Sequence, residues 1–191
     1  MLPNNVESMI PVPGVYLPPD DEVTSTTIDY ELGGVAINDA TQGLNIFRWQ
    51  IRIAGSEAKI QREGQAETTL FSASDMREIG LAFDQNMRPH VVYKAGNGNM
   101  LLRWFDSTLQ QYVTTDFGPA RTPRIALDDK RVGASSTSDV VLAYLRGSSL
   151  FYRLQRDRFG VERTLRAGLS EETRLRSIGM ARNLRMNFEL V

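Results

Sequence analysis

Ile79-Gly80-Leu81-Ala82-Phe83-Asp84 and Pro123-Arg124-Ile125-Ala126-Leu127-Asp128 are two copies of one short pattern, an apolar run closed by an aspartate. Each copy is followed by an apolar run ending in tyrosine, His90-Val91-Val92-Tyr93 in the first and Val141-Leu142-Ala143-Tyr144 in the second. Each then has a second run carrying arginine, Leu101-Leu102-Arg103 and Phe151-Tyr152-Arg153. The second copy is longer, with extra residues at Lys130 to Ser138. A repeat of about 40 to 50 residues built only of short strands is the period of a propeller blade or a similar sheet array.

The clearest strand is Phe47 to Ile53. Phe47, Trp49, Ile51 and Ile53 alternate with Arg48, Gln50 and Arg52, a period of two that gives one apolar and one wet face. Gly55-Ser56, Glu63-Gly64-Gln65, Asn97-Gly98 and Gly147-Ser148-Ser149 read as turns between strands, the Asn-Gly step being a strong hairpin signal. In Glu78 to Asp84 the face opposite Ile79, Leu81 and Phe83 carries only Gly80 and Ala82, which suits close approach of a second sheet. Ser170 to Arg176 is the only candidate helix, although Leu175 to Met180 also fits a strand. At the C-terminus Leu184, Met186, Phe188 and Leu190 alternate with polar residues.

The spacing predicts three blade-sized units, roughly 44 to 75, 77 to 119 and 122 to 165, with two strands left over at each end. Pairing the C-terminal strands with Ile28 to Ile37 would complete a fourth sheet and remove free edges. The expected fold is therefore all-β: repeated antiparallel hairpins forming a small propeller-like body of about four blades, or a β-sandwich, over residues 27–191. Residues 1–26 are expected to form a separate arm. That leader is rich in proline (Pro3, Pro11, Pro13, Pro18, Pro19), which locks φ and removes amide donors, so an extended, irregular segment is expected. Its large apolar groups imply that Ile10 to Leu17 lies against this domain or a partner, the alternative being a disordered tail.

Composition narrows the chemistry. The 191 residues include no cysteine, which removes thiol nucleophiles, Cys-based zinc sites and disulfides. The N-terminus lacks the basic region of a signal peptide and no apolar run is long enough to cross a bilayer, so folding in a cytoplasm is expected. The net charge of −1 hides an asymmetry: seven carboxylates (Glu7, Asp20, Asp21, Glu22, Asp29, Glu31, Asp39) and no Lys or Arg precede Arg48. Such an acidic arm can dock on its own mildly basic body or on a neighbouring copy, or its charges can simply be solvated.

His90 is the only histidine, so any Ser-His-Asp triad would need it, and its place before Val91-Val92-Tyr93 favours a structural role. Asp84, Asp106, Asp128 and Asp157 lie at strand ends, where a carboxylate accepts amide hydrogen bonds from the following turn; acid pairs for glycoside hydrolysis are the competing reading. Asp128-Asp129 and Asp20-Asp21-Glu22 lack the spacing of a cation loop. No catalytic residue, metal site or cofactor is assigned, and the chain is expected not to be an enzyme. Arg153, Arg156, Arg158, Arg163 and Arg166 crowd one stretch near Tyr152 and Phe159, a pattern shared by single-strand nucleic-acid grooves. Interleaved Asp157 and Glu162 and the sequence pI of about 5.9 favour an arginine-carboxylate lattice between subunits instead. The candidate partner interface is Ile10, Pro11, Pro13, Tyr16, Leu17 and Pro18 of the arm, with Arg156 and Arg158 of the body.

The order Tyr30-Glu31-Leu32-Gly33-Gly34-Val35-Ala36-Ile37-Asn38-Asp39, Gln42-Gly43-Leu44 with Trp49, Leu81-Ala82-Phe83-Asp84-Gln85-Asn86-Met87-Arg88-Pro89, Ala126-Leu127-Asp128-Asp129-Lys130-Arg131, Gln155-Arg156-Asp157-Arg158-Phe159-Gly160-Val161-Glu162 and Ile178-Gly179-Met180 resembles a family of small virion structural proteins of tailed bacteriophages. These motifs are structural turns and bring no enzymatic residue with them. The resemblance implies a multicopy tail or tail-tip component in the virion, or one near the head-tail connector, assembled in the host cytoplasm through contacts with other virion proteins and copies of itself. The alternative is a host-glycan-binding attachment module in which Trp49, Trp104 or Tyr112 stacks on sugars.

Overall fold

Short strands joined by tight turns make up the chain in a computed structural model, which describes residues 28–34, 45–84, 86, 88–128, 139–180 and 186–191. The first sheet is a meander of β1 (Ile28–Gly34), β2 (Asn45–Ala54), β3 (Glu57–Arg62) and β4 (Thr68–Ser72). The second runs β5 (Met76–Phe83), β6 (Pro89–Ala95), β7 (Asn99–Asp106) and β8 (Gln111–Pro119). The third runs β9 (Arg121–Leu127), β10 (Val140–Arg146), β11 (Ser149–Leu154) and β12 (Arg163–Arg166). A hairpin of β13 (Leu175–Met180) and β14 (Met186–Leu190) forms the last sheet. Every neighbouring pair is antiparallel.

The all-β expectation holds, and the three repeat units fall on the three larger sheets. The two copies of the opening pattern are β5 and β9, the first strands of the second and third sheets, and the runs that follow are β6 with β10 and β7 with β11. The turns behave as their residues dictate. Gly98 takes φ +86, a left-handed conformation, and donates its amide to Ala95 O at 2.8 Å, the geometry for which an Asn-Gly step is suited. The candidate helix is absent: Ser170 to Thr173 is a single turn, Thr173 N donating to Ser170 O, and Leu175–Met180 is a strand.

The expected ring-closing pairing is corrected. Ile28–Gly34 pairs with β2, from Ile28 opposite Ile51 to Gly34 opposite Asn45, while β13 pairs with β14. Gly33 and Gly34, a pair that also reads as a turn in the sequence, belong to the strand, opposite Ile46 and Asn45. A strand close in sequence closes a smaller loop, at lower entropic cost, than one at the far end of the chain. The expected arm, residues 1–26, and the insertion at Lys130 to Ser138 lie outside the described residues.

The sheets stack face to face in chain order. Ile51, Ile53, Ala58 and Ile60 of the first sheet meet Ile79, Leu81, Phe83, Val91 and Tyr93 of the second. The opposite face of the second sheet, Ala82, Val92, Met100, Leu102 and Trp104, meets Ile125, Leu127, Leu142 and Tyr144 of the third. The far face of the third sheet, with Ala143, Leu145 and Leu150, is covered by Leu175, Ile178, Met186, Phe188 and Leu190. Both middle sheets are thus apolar on both faces, which is why β5 and β10 read as nearly continuous apolar runs and not as alternations. At Gly80 the two sheets come close: a Cβ there would meet Val92 Cγ1 at 3.0 Å and Ile125 Cγ2 of the third sheet at 3.4 Å. The free face of the first sheet is polar, with Arg52 held by a two-pronged contact to Glu67 at 2.6 Å and Lys59 near Glu57 at 3.5 Å.

Candidate functional site

The strand-end aspartates converge on one rim of the second and third sheets. Asp84 Oδ1 accepts the amides of Asn86 (2.8 Å) and Arg88 (2.9 Å), and Asp106 Oδ1 those of Thr108 (2.9 Å) and Leu109 (3.2 Å). Asp128 Oδ1 accepts Asp139 N at 2.6 Å, and Asp139 Oδ1 accepts Arg156 N at 2.9 Å. Asp84, Asp106 and Asp139 are buried. A buried carboxylate is tolerable only with such partners, so Asp84 and Asp106 organise the turns that follow them and Asp139 anchors the loop after β11.

Arginines from the loop after β11 complete the rim. A 3-10 turn at Gln155–Asp157 places Arg156 Nε on Asp139 Oδ2 and Arg156 Nη2 3.6 Å from Asp128, while Arg158 Nη2 donates to Asp106 Oδ2. Burial alone would raise the Asp106 pKa; the Arg158 hydrogen bond and the two amides outweigh it and hold the carboxyl below its usual range. Arg158 and Phe159 both adopt left-handed backbone conformations, φ 51 and 55, which cost an L-residue about 1–2 kcal/mol each. The contorted turn leaves Arg158 at the surface and drives Phe159 inside, fully buried, edge-on to Trp104 at 5.3 Å and 6.2 Å from His90.

His90 is buried, with Nδ1 3.0 Å from Arg88 O and Nε2 without a hydrogen-bond partner among the described residues. Burial lowers its pKa, against the weaker opposing influence of the Arg88 carbonyl, Asp84 and Asp139. The histidine does lie near two of the acids, but it is sealed from solvent under Phe159, and both acids are occupied. That is the geometry of a packed neutral imidazole.

A second polar cluster ties the second sheet to the third. Tyr144 OH donates to Glu162 and accepts from Arg153 Nε at 2.8 Å; Arg146 and Arg153 reach Glu162 at 2.8 and 2.9 Å. Arg146 Nη2 also donates to Phe117 O at 2.6 Å, and the Arg153 guanidinium lies 4.7 Å over the Phe117 ring. Burial, then the Glu162 hydrogen bond, push the Tyr144 phenol up to about 12. Burial alone would raise Glu162, but Tyr144, Arg146 and Arg153 hold it below its ordinary range.

Of the interface residues read from sequence, Arg156 and Arg158 sit together on this rim, their side chains 59% and 55% exposed. Both already have partners within the chain, as does Arg163 with Asp157 at 2.7 Å, so the arginine-carboxylate lattice among the described residues is intramolecular. Ile10, Pro11, Pro13, Tyr16, Leu17 and Pro18 lie outside the described residues. Of the aromatics considered for sugar stacking, Trp104 is buried with Nε1 donating to Thr115 Oγ1 at 3.0 Å. Trp49 is half-buried against Phe83, and Tyr112 is exposed.

One face went unnoticed in the sequence. Where the first sheet gives out, the same side of β7 and β8 carries a ladder of cations and rings. Arg103 lies over Phe71 (5.3 Å) and Tyr112 (5.6 Å), Tyr112 packs edge-on to Phe105 (5.4 Å), and Arg88 lies 3.9 Å over Phe105. The available signal was the alternation of β7, whose Met100, Leu102 and Trp104 are buried while Leu101, Arg103 and Phe105 are half-buried. No helix among the described residues is long and apolar enough to cross a membrane, and no group of three or more His, Asp or Glu there is placed to hold a metal ion. Compared with known proteins, the chain matches no family model, no curated protein and no solved structure.

Proposed function

We propose that the protein is a non-enzymatic structural component of a tailed-bacteriophage virion, a multicopy tail or tail-tip protein held by protein-protein contacts. The observation that carries this reading is the occupancy of the buried acids: Asp84, Asp106 and Asp139 each bind main-chain amides, and the latter two an arginine as well. Such a rim makes a rigid body, and its buried acids are held by amides and arginines where acid-base work would need one free. Burial of Trp104 favours this reading over a glycan-stacking module. We read the stacked sheets as successive blades of a small propeller-like body, supported by the way each sheet covers the next in chain order.

Locating the protein in purified particles by antibody labelling and electron microscopy tests the assignment. Labelling at a fixed place on the tail, with a discrete oligomer on a sizing column with light scattering, is the expected result. Absence from intact particles would overturn it.

A further inference from the structure

We propose that the Arg88–Arg103 ladder is the docking surface for the acidic leader of this chain, centred on Tyr16-Leu17-Pro18-Pro19-Asp20-Asp21-Glu22. The inference stands apart from the virion reading and survives if that reading fails. Its first support is charge. Arg52, Arg146, Arg153, Arg156, Arg158 and Arg163 each have a carboxylate within ion-pairing distance. Arg88 and Arg103 have none among the described residues; Arg88 instead lies over one aromatic ring and Arg103 over two. A guanidinium stacked on a ring is held in place with its N–H edge still able to donate, so less freedom is lost when a carboxylate arrives. The chain supplies the complement: seven carboxylates and no basic residue before Arg48, with Tyr16 and neighbouring prolines able to lie on Phe71, Phe105 and exposed Tyr112.

Reach is the second support. Ile28, where the leader meets the first sheet, lies opposite Ile51; Ile51 pairs with Ile60, and Ile60 with Thr68 of β4. Three strand spacings of about 4.8 Å put β4 roughly 14 Å from Ile28, and Phe71 lies about 10 Å further along β4. The diagonal is about 17 Å. The stretch from Glu22 to Ile28 spans about 20 Å when extended. The acidic triplet can therefore reach Arg103 on its own body, and equally that of a neighbour.

Carbodiimide coupling of the full-length Arg103→Lys and Arg88→Lys proteins tests this, because it joins only a carboxylate and an amine already in contact. Lys94 and Glu78, 3.2 Å apart, provide an internal reference for coupling. The expected product, found by peptide mass spectrometry, joins the new lysine to Asp20, Asp21 or Glu22. Its yield relative to the Lys94–Glu78 product should fall at least about threefold between about 0.05 M and 0.5 M salt, as the screening length shrinks to about 4 Å. Mixed heavy- and light-isotope protein tells coupling within one copy from coupling between copies, and either supports the proposal. Coupling of Lys94 to Glu78 without any leader product overturns it. So does binding of oligothymidylate or an acidic oligosaccharide that is lost in Arg88→Gln/Arg103→Gln and unaffected by deletion of residues 1–22.

Discussion

Replacing Phe159 probes the turn that seals the rim. Its ring is fully buried between Trp104 and His90, at a backbone φ of 55. Phe159→Ala removes roughly 150 Å² or more of buried apolar surface, about 4 kcal/mol at 25 cal/mol/Å², and leaves a cavity under the loop; the expected destabilisation is about 3–5 kcal/mol. Phe159→Gly loses the same ring but relaxes a left-handed backbone worth about 1–2 kcal/mol, against a glycine entropy penalty of about 0.5–1 kcal/mol. Glycine should therefore match alanine or exceed it by up to about 1.5 kcal/mol, reversing their usual order. Urea unfolding of the full chain, followed by tryptophan fluorescence and extrapolated to water, measures both. A loss under about 1 kcal/mol for alanine, or a glycine variant more than about 1 kcal/mol below alanine, would refute the described turn.

Gly80→Ala places a methyl group between Val92 and Ile125 and should cost about 1–3 kcal/mol by overpacking; an unchanged urea midpoint would contradict the close approach of the two sheets. Tyr144→Phe deletes the hydroxyl shared by Glu162 and Arg153 and is expected to cost about 1.5–3 kcal/mol, the range for hydrogen bonds to charged groups, measured the same way. His90, held by burial below its usual pKa, takes up its proton more readily unfolded than folded. Its contribution is therefore full above the unfolded value of about 6.5 and lost as pH falls from there toward the folded pKa. Stability measured between about pH 7 and pH 5 should fall less steeply in His90→Gln, and an identical slope would remove His90 from that role.

Local pattern made much of this fold legible. Alternation in β2 and β7 and glycines at the turns announce half-buried hairpins, and the bare Gly80-Ala82 face announces the neighbouring sheet that Ile125 supplies. The partner of β1 was illegible, because alternation shows which face is buried and says nothing about which strand lies alongside. Asp84 and Asp106 were readable as turn formers, since their amide donors follow within a few residues, whereas Asp128 takes its amide from Asp139, 11 positions on, and Asp157 pairs with Arg163. Their arginines were not: Arg158 and Asp106 are separated by 52 positions, and only folding brings them together. The Arg88–Arg103 ladder was hidden for the same reason, since Phe71, Phe105 and Tyr112 come from three different strands.

Because each layer leans chiefly on the layers before and after it in the chain, assembly can proceed like shingling a roof. Each hairpin set emerging from the ribosome finds its seat already laid. The same arrangement governs how the body fails under load. A pull on its two ends meets no strand that staples first layer to last among the described residues, so the layers should peel away one after another, giving a series of small yields in place of a single rupture.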